Sequence, residues 1–181
     1  MNNLAQKLAT ETKAVACDLK AVEADGSFTG YASRFGVVDL GRDLVLPGAF
    51  SESLARRGPR GIKMLFQHDP AEPIGVWLEL REDAHGLCVR GRILPEVERG
   101  REVLALMRAG ALDGLSIGFR AVEGRTDPKS GVRRLSRVDL WEISVVTFPM
   151  LPEARVSAVK DDSDARLAAA IRGAARAMRG G

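Results

Sequence analysis

The chain has 181 residues, 45% of them apolar and 28% charged, and a formal net charge of +3 from 27 basic and 24 acidic residues. This is the composition of one globular domain with short tails. So small and evenly mixed a charge excludes a dedicated nucleic-acid binder, which needs a concentrated basic face.

The start, Met1 to Lys13, is polar and lacks the apolar core of a signal peptide, and no apolar run approaches the ~20 residues of a membrane span. These features predict a soluble protein that stays in the cytoplasm where it is made. Residues 1–12 read as a flexible tail and 13–160 as the folded domain. From Lys13 to Val22 the residues partly alternate, as in a half-buried strand. Asp25-Gly26 is a turn signal and Phe28 to Phe35 resumes strand character, which suggests a hairpin. A Gly- and Asp-rich loop, Gly36 to Asp43, leads to a short helix from about Ser51 to Arg57, which Gly58-Pro59 should stop. Ile62 to Gln67 is a short apolar run ending at His68. Ile74 to Glu82 and Gly86 to Ile93 are strands joined by the turn Asp83-Ala84-His85-Gly86.

Glu96 to Ala109 has helical spacing with Gly110 as its stop. Leu115 to Val122 is a strand, Glu123 to Gly131 a polar loop, and Leu135 to Phe148 a long, bent strand region. An acidic linker (Asp161, Asp162, Asp164) and an Ala/Arg-rich helix or tail occupy residues 161–181. Parallel βαβ alternation is absent. The pattern predicts an α+β, β-rich barrel or sandwich with helices packed outside.

The chemistry starts from scarcity. With only His68 and His85 present, and no HExxH, clustered Cys/His, GxxxxGK[ST] or GxGxxG run, neither a metal nor a nucleotide cofactor is expected. Cys17 and Cys88, without CxxC spacing, read as small buried residues, not as a disulfide or thiol nucleophile. His85 reads as a solvated turn residue. His68, at the end of a buried run, is placed to point into a cleft from a rigid support. Ser116 alternates onto the face opposite Leu115, Ile117 and Phe119, and Gly114 and Gly118 give it the open flanks a nucleophile needs. Glycines there would also permit a backbone N–H to face a developing oxyanion.

Glu142 is an acid in an apolar strand, where burial is costly without a partner, and a histidine would be a suitable one. Asp139 competes for that role. In a regular strand the two acids face opposite ways, with Ser144 beside Glu142 and Ile143 and Val145 beside Asp139. Ser144 is a rival nucleophile, crowded by its β-branched neighbours.

Four segments in order, GYASRFGVVDLGRDLVLPGAF (Gly30 to Phe50), IKMLFQHDPAEPIGVW (Ile62 to Trp77), GALDGLSIGF (Gly110 to Phe119) and LWEISVVTFPMLPEARV (Leu140 to Val156), resemble the prohead maturation proteases of tailed phages. That family is similar in fold to the herpesvirus assemblins, so the resemblance implies an assemblin-like β-barrel with surrounding helices. It also implies a serine endopeptidase with His68, Ser116 and Glu142 in catalytic order, Asp139 remaining the alternative third residue. The implied substrates are the scaffold segment of the major capsid protein and the protease itself, cut inside the immature capsid of a phage, prophage or gene-transfer agent. Self-association as a dimer, as in assemblins, stays open. A non-catalytic assembly or scaffold protein on the same fold is the competing implication.

Overall fold

The computed structural model describes residues 11–16, 22–23 and 25–148, the first stretch by its backbone alone. Alternating apolar residues place much of the described chain in strands. In chain order these are β1 (Glu11–Ala16), β2 (Ser27–Arg34), β3 (Asp43–Val45), α1 (Ser51–Gly61), β4 (Lys63–Phe66), β5 (Asp69–Glu82), β6 (Gly86–Ile93), α2 (Glu98–Arg108), β7 (Gly114–Thr126) and β8 (Arg133–Val146). The strands form one sheet in the order β1-β7-β8-β4-β5-β6-β2, with β3 also against β8. The two end strands, β1 and β2, approach each other, so the sheet curls as the expected β-rich class requires. The proposed tail at 161–181 lies outside the described residues.

The expected hairpin between the first two strands does not form. β1 pairs antiparallel with β7, and β2 with β6. A turn signal between two strand-like runs fixes where the chain reverses, not which strand becomes its neighbour.

Inside the curl, Phe28, Met64, Ile74, Trp77, Leu115 and Ile143 are among the buried apolar residues. Phe28 meets Trp77 edge to face at 5.7 Å and 72°, a contact worth about 0.5–1.5 kcal/mol beyond its buried area.

β8 organises the site. It pairs along its length with β7, while on its other edge β3 covers Arg133 to Leu135 and β4 covers Glu142 to Val145, both in parallel. Between these two partners α1 takes the place of a strand. Val138 N–H donates to Ala49 O at 3.0 Å. The Ser53 hydroxyl donates to Val138 O at 2.7 Å and accepts Leu140 N–H at 3.1 Å. This explains why Ser53 is buried in a helix, since unpaired groups on a buried strand edge are costly. Gly58 breaks α1 as the sequence suggests, with φ 60°, but one more turn containing Pro59 carries on to Gly61.

Candidate active site

His68 reaches the site through a tight turn. β4 and β5 form a hairpin in which Phe66 pairs with Asp69, leaving Gln67 and His68 as its two-residue loop. Both have positive φ, 52° and 63°, as a type I′ turn demands. Such turns favour Asn-Gly. A left-handed residue with a side chain costs about 1–2 kcal/mol, so this conformation persists only because its surroundings hold it. Gln67 N–H donates to Val145 O at 3.0 Å and its side-chain amide to Thr147 Oγ1 at 2.6 Å. His68 N–H donates to Ser144 Oγ at 3.1 Å.

The His68 ring lies against Glu142, Nδ1 to Oε1 2.7 Å. The second carboxylate oxygen accepts the Ser144 hydroxyl at 2.7 Å. An ionised carboxylate only accepts, so in the neutral ring Nδ1 carries the proton and the lone pair is left to Nε2. The His68 side chain is 24% exposed while Glu142 is buried, so the ring separates the acid from solvent.

Across the β7–β8 ladder Ser116 sits directly opposite Ser144, and Gly118 opposite Glu142. Opposed residues share a face, so Ser116, Gly118, Glu142 and Ser144 lie together, away from Leu115, Ile117 and Ile143. Ser116 is 1% exposed, and among the described residues its hydroxyl has no hydrogen-bond partner and makes no bond to His68. Gly118 has a use that its flanking position alone does not reveal. A Cβ there would stand 2.0 Å from Glu142 Oε1. The glycine is the space in which the carboxylate lies.

The expected opposition of Asp139 and Glu142 fails. Gly118 pairs with Glu142 but Phe119 with Leu140, leaving Trp141 as an extra residue in β8. A bulge of one residue inverts the alternation beyond it. Asp139 therefore shares the face of Glu142, opposite Arg120, and not that of Ile143 and Val145. Its carboxylate is nonetheless fully engaged elsewhere. Arg57 Nη2 lies 3.0 Å from Oδ1, Trp141 Nε1–H donates to Oδ2 at 2.8 Å, and Arg56 pairs with Oδ1. Burial works against the Asp139 charge, but the hydrogen bonds from Trp141 and Arg57, with the positive charges of Arg57 and Arg56, outweigh it and hold the carboxyl below its ordinary pKa.

His85 lies away from this group, in the turn joining β5 to β6, where its N–H donates to Asp83 at 2.8 Å and its ring packs on Tyr31. Cys88 is a half-buried free thiol on β6, and Cys17 lies outside the described residues. Among the described residues no cluster of His, Cys, Asp and Glu is arranged to hold a metal, and no helix is long and apolar enough to cross a membrane.

The chain is 39% identical to the prohead protease of Enterobacteria phage HK97 over 137 residues, which are 75% of this chain and 60% of that protein's length. It is 33% identical over 118 residues to a capsid polyprotein of Pseudomonas phage PAJU2, covering 61% of this chain and 18% of that protein. Among solved structures, the capsid assembly protease of bacteriophage T4 shares the fold, with a TM-score of 0.58 and 16% identity over 77% of this chain and 99% of that one. The family model described as Caudovirus prohead serine protease matches residues 15–168 and so spans β2 to β8 with every residue of the site: the chain belongs to the Caudovirus prohead serine protease family.

Proposed function

We propose that this chain is a serine endopeptidase of capsid maturation, with Ser116 as nucleophile, His68 as general base and acid, and Glu142 as the acid that orients the imidazole. The observation that carries this reading is the 2.7 Å bond from His68 Nδ1 to Glu142 on the face that also bears Ser116. It fixes the tautomer whose Nε2 can accept a proton. In the reaction, Nε2 takes the Ser116 hydroxyl proton as Oγ attacks the peptide carbonyl. The tetrahedral oxyanion collapses, Nε2 returns the proton to the departing amine, and an acyl-enzyme remains. Water then attacks the ester, His68 taking the water proton and restoring it to Ser116. General base catalysis of this kind supplies about 10²–10⁴ in rate.

The scaffold segment of the major capsid protein, and this chain's own tails, are the substrates we assign, with the interior of the immature capsid as the place of action. Family membership and the capsid polyprotein relative support that assignment.

A fluorophosphonate probe tests the chemistry without knowledge of the cleavage site. Wild type is expected to be labelled at Ser116, and Ser116→Ala and His68→Ala to resist labelling. Co-expression with the cognate capsid protein should then give a shortened capsid protein only with the wild type, read by intact mass. Capsid-protein cleavage that persists in Ser116→Ala would overturn the nucleophile. A folded wild type that neither labels nor cuts would leave the fold serving as a non-catalytic assembly protein.

A further inference from the structure

We propose that Ser144 is a positioning residue for this reaction, locking Glu142 and the His68 turn into one geometry; the proposal rests on the serine-protease reading above. Ser144 is completely buried, and a hydroxyl in such a place needs partners. It has two. Its one proton goes to Glu142 Oε2 at 2.7 Å, and its oxygen accepts the His68 backbone N–H at 3.1 Å. With the His68 Nδ1 bond to Oε1 at 2.7 Å the circuit closes. The backbone and the ring of one residue are both tied to the same carboxylate, directly at one end and through Ser144 at the other.

Two consequences follow. A carboxylate bonded at one oxygen can rotate about its last torsion, and the Ser144 bond removes that freedom, leaving Oε1 for the imidazole. The His68 N–H bond also helps over-determine a turn whose two residues hold positive φ without being glycine. The same bonds set Ser144 apart from Ser116 as a nucleophile, because its proton is already given to Glu142, whereas the equally buried Ser116 hydroxyl has no partner among the described residues.

The test compares Ser144→Ala and Ser144→Thr with wild type by fluorophosphonate labelling, melting temperature and the low-field proton NMR signal of the His68 Nδ1–H. That signal is recorded in a Ser116→Ala background so that the chain cannot cut itself. Ser144→Ala is expected to be labelled at Ser116 about 10²-fold more slowly at saturating probe, the loss that a misplaced catalytic group brings, with half-saturation unchanged. Its low-field proton should broaden or vanish. Ser144→Thr keeps the hydroxyl and should recover both. Adding Ser144→Ala to Glu142→Gln should cost less than it does in the wild-type background, since one of the two Ser144 bonds acts through that carboxylate. Ser144→Cys, close in volume and weak as a donor, stands in if the alanine variant melts early. Wild-type labelling rates with an unchanged proton signal in Ser144→Ala would overturn the proposal, as would label mapped to Ser144. If wild type is never labelled, the protease reading fails. The proton signal still decides whether Ser144 holds the pair, its loss in Ser144→Ala supporting the positioning role and its persistence ending it.

Discussion

Two acids of β8, Asp139 and Glu142, lie on the same face within one strand, and they have been drawn into different work. Asp139 is surrounded by cations. Arg56 and Arg57 come from α1, Arg120 approaches at 3.8 Å from β7, and the Trp141 indole adds a hydrogen bond. This binds a helix to the sheet. Among the described residues, Glu142 has no cation of fixed charge paired with it. It holds a histidine and a serine, by hydrogen bonds of 2.7 Å each. The difference is set by neighbours: Glu142 falls where β4 begins to pair with β8, within reach of the His68 turn, and Asp139 falls where α1 replaces a strand.

The sharpest way to break this comparison is to neutralise each acid without changing its size. Glu142→Gln can donate to His68 as well as accept, so it no longer fixes the tautomer with Nε2 free. Fluorophosphonate labelling should fall by up to about 10⁴, the scale of the equivalent change in serine proteases with a Ser-His-Asp triad. Asp139→Asn should leave labelling within a few-fold of wild type. If instead Asp139→Asn is the dead variant and Glu142→Gln is active, the third residue has been misassigned. Gly118→Ala comes next in size. Its Cβ would collide with Glu142 Oε1, and the neighbour that must yield is the group that orients His68. Labelling should fall about 10²-fold while the melting temperature changes little, and Gly118→Ala in a Glu142→Gln background should add no further loss.

Most of this site is legible in the sequence, and its illegible parts share a physical cause. The family resemblance names His68, Ser116 and Glu142, and the alternation across Glu142, Ile143 and Ser144 is real, so that Ser144 beside Glu142 can be read from the pattern. The bulge at Trp141 cannot, because an extra strand residue leaves no local mark when the indole packs as well as its neighbours. The hairpin at Gln67-His68 is equally hidden. Its geometry calls for glycine or asparagine, and the chain puts a histidine there instead, so the local rule fails where tertiary hydrogen bonds override it. The β1–β2 hairpin misleads for the opposite reason. Its turn signal is sound, but pairing partners are chosen by long-range burial, which sets β1 beside β7 and β2 beside β6 at opposite ends of the sheet order. Gly118 is visible as a small residue near Ser116. That it makes room for Glu142, on a neighbouring strand, takes the register to see.

The smallest effect on activity is the most informative about Asp139. Its carboxyl is held below its ordinary pKa of 3.8, so the folded state binds its proton less readily than the unfolded state does. The sign follows from linkage. Where the unfolded chain takes up more protons, stability falls as pH falls. The contribution of Asp139 is therefore complete above the unfolded value near 3.8 and is lost as pH drops through the lower folded value. Near neutral pH, Asp139→Asn should lose at most about 1.5–3 kcal/mol, the range for hydrogen bonds to a charged group, tempered by the solvent exposure of Arg56. Below the folded pKa of Asp139 the gap between wild type and variant should close, because the wild-type carboxyl is then neutral too. Urea melts of both proteins in a Ser116→Ala background at pH 7, 5 and 3 measure it. A gap that stays constant down to pH 3 would mean that the carboxylate charge contributes nothing and that the Trp141 and arginine contacts act by packing alone.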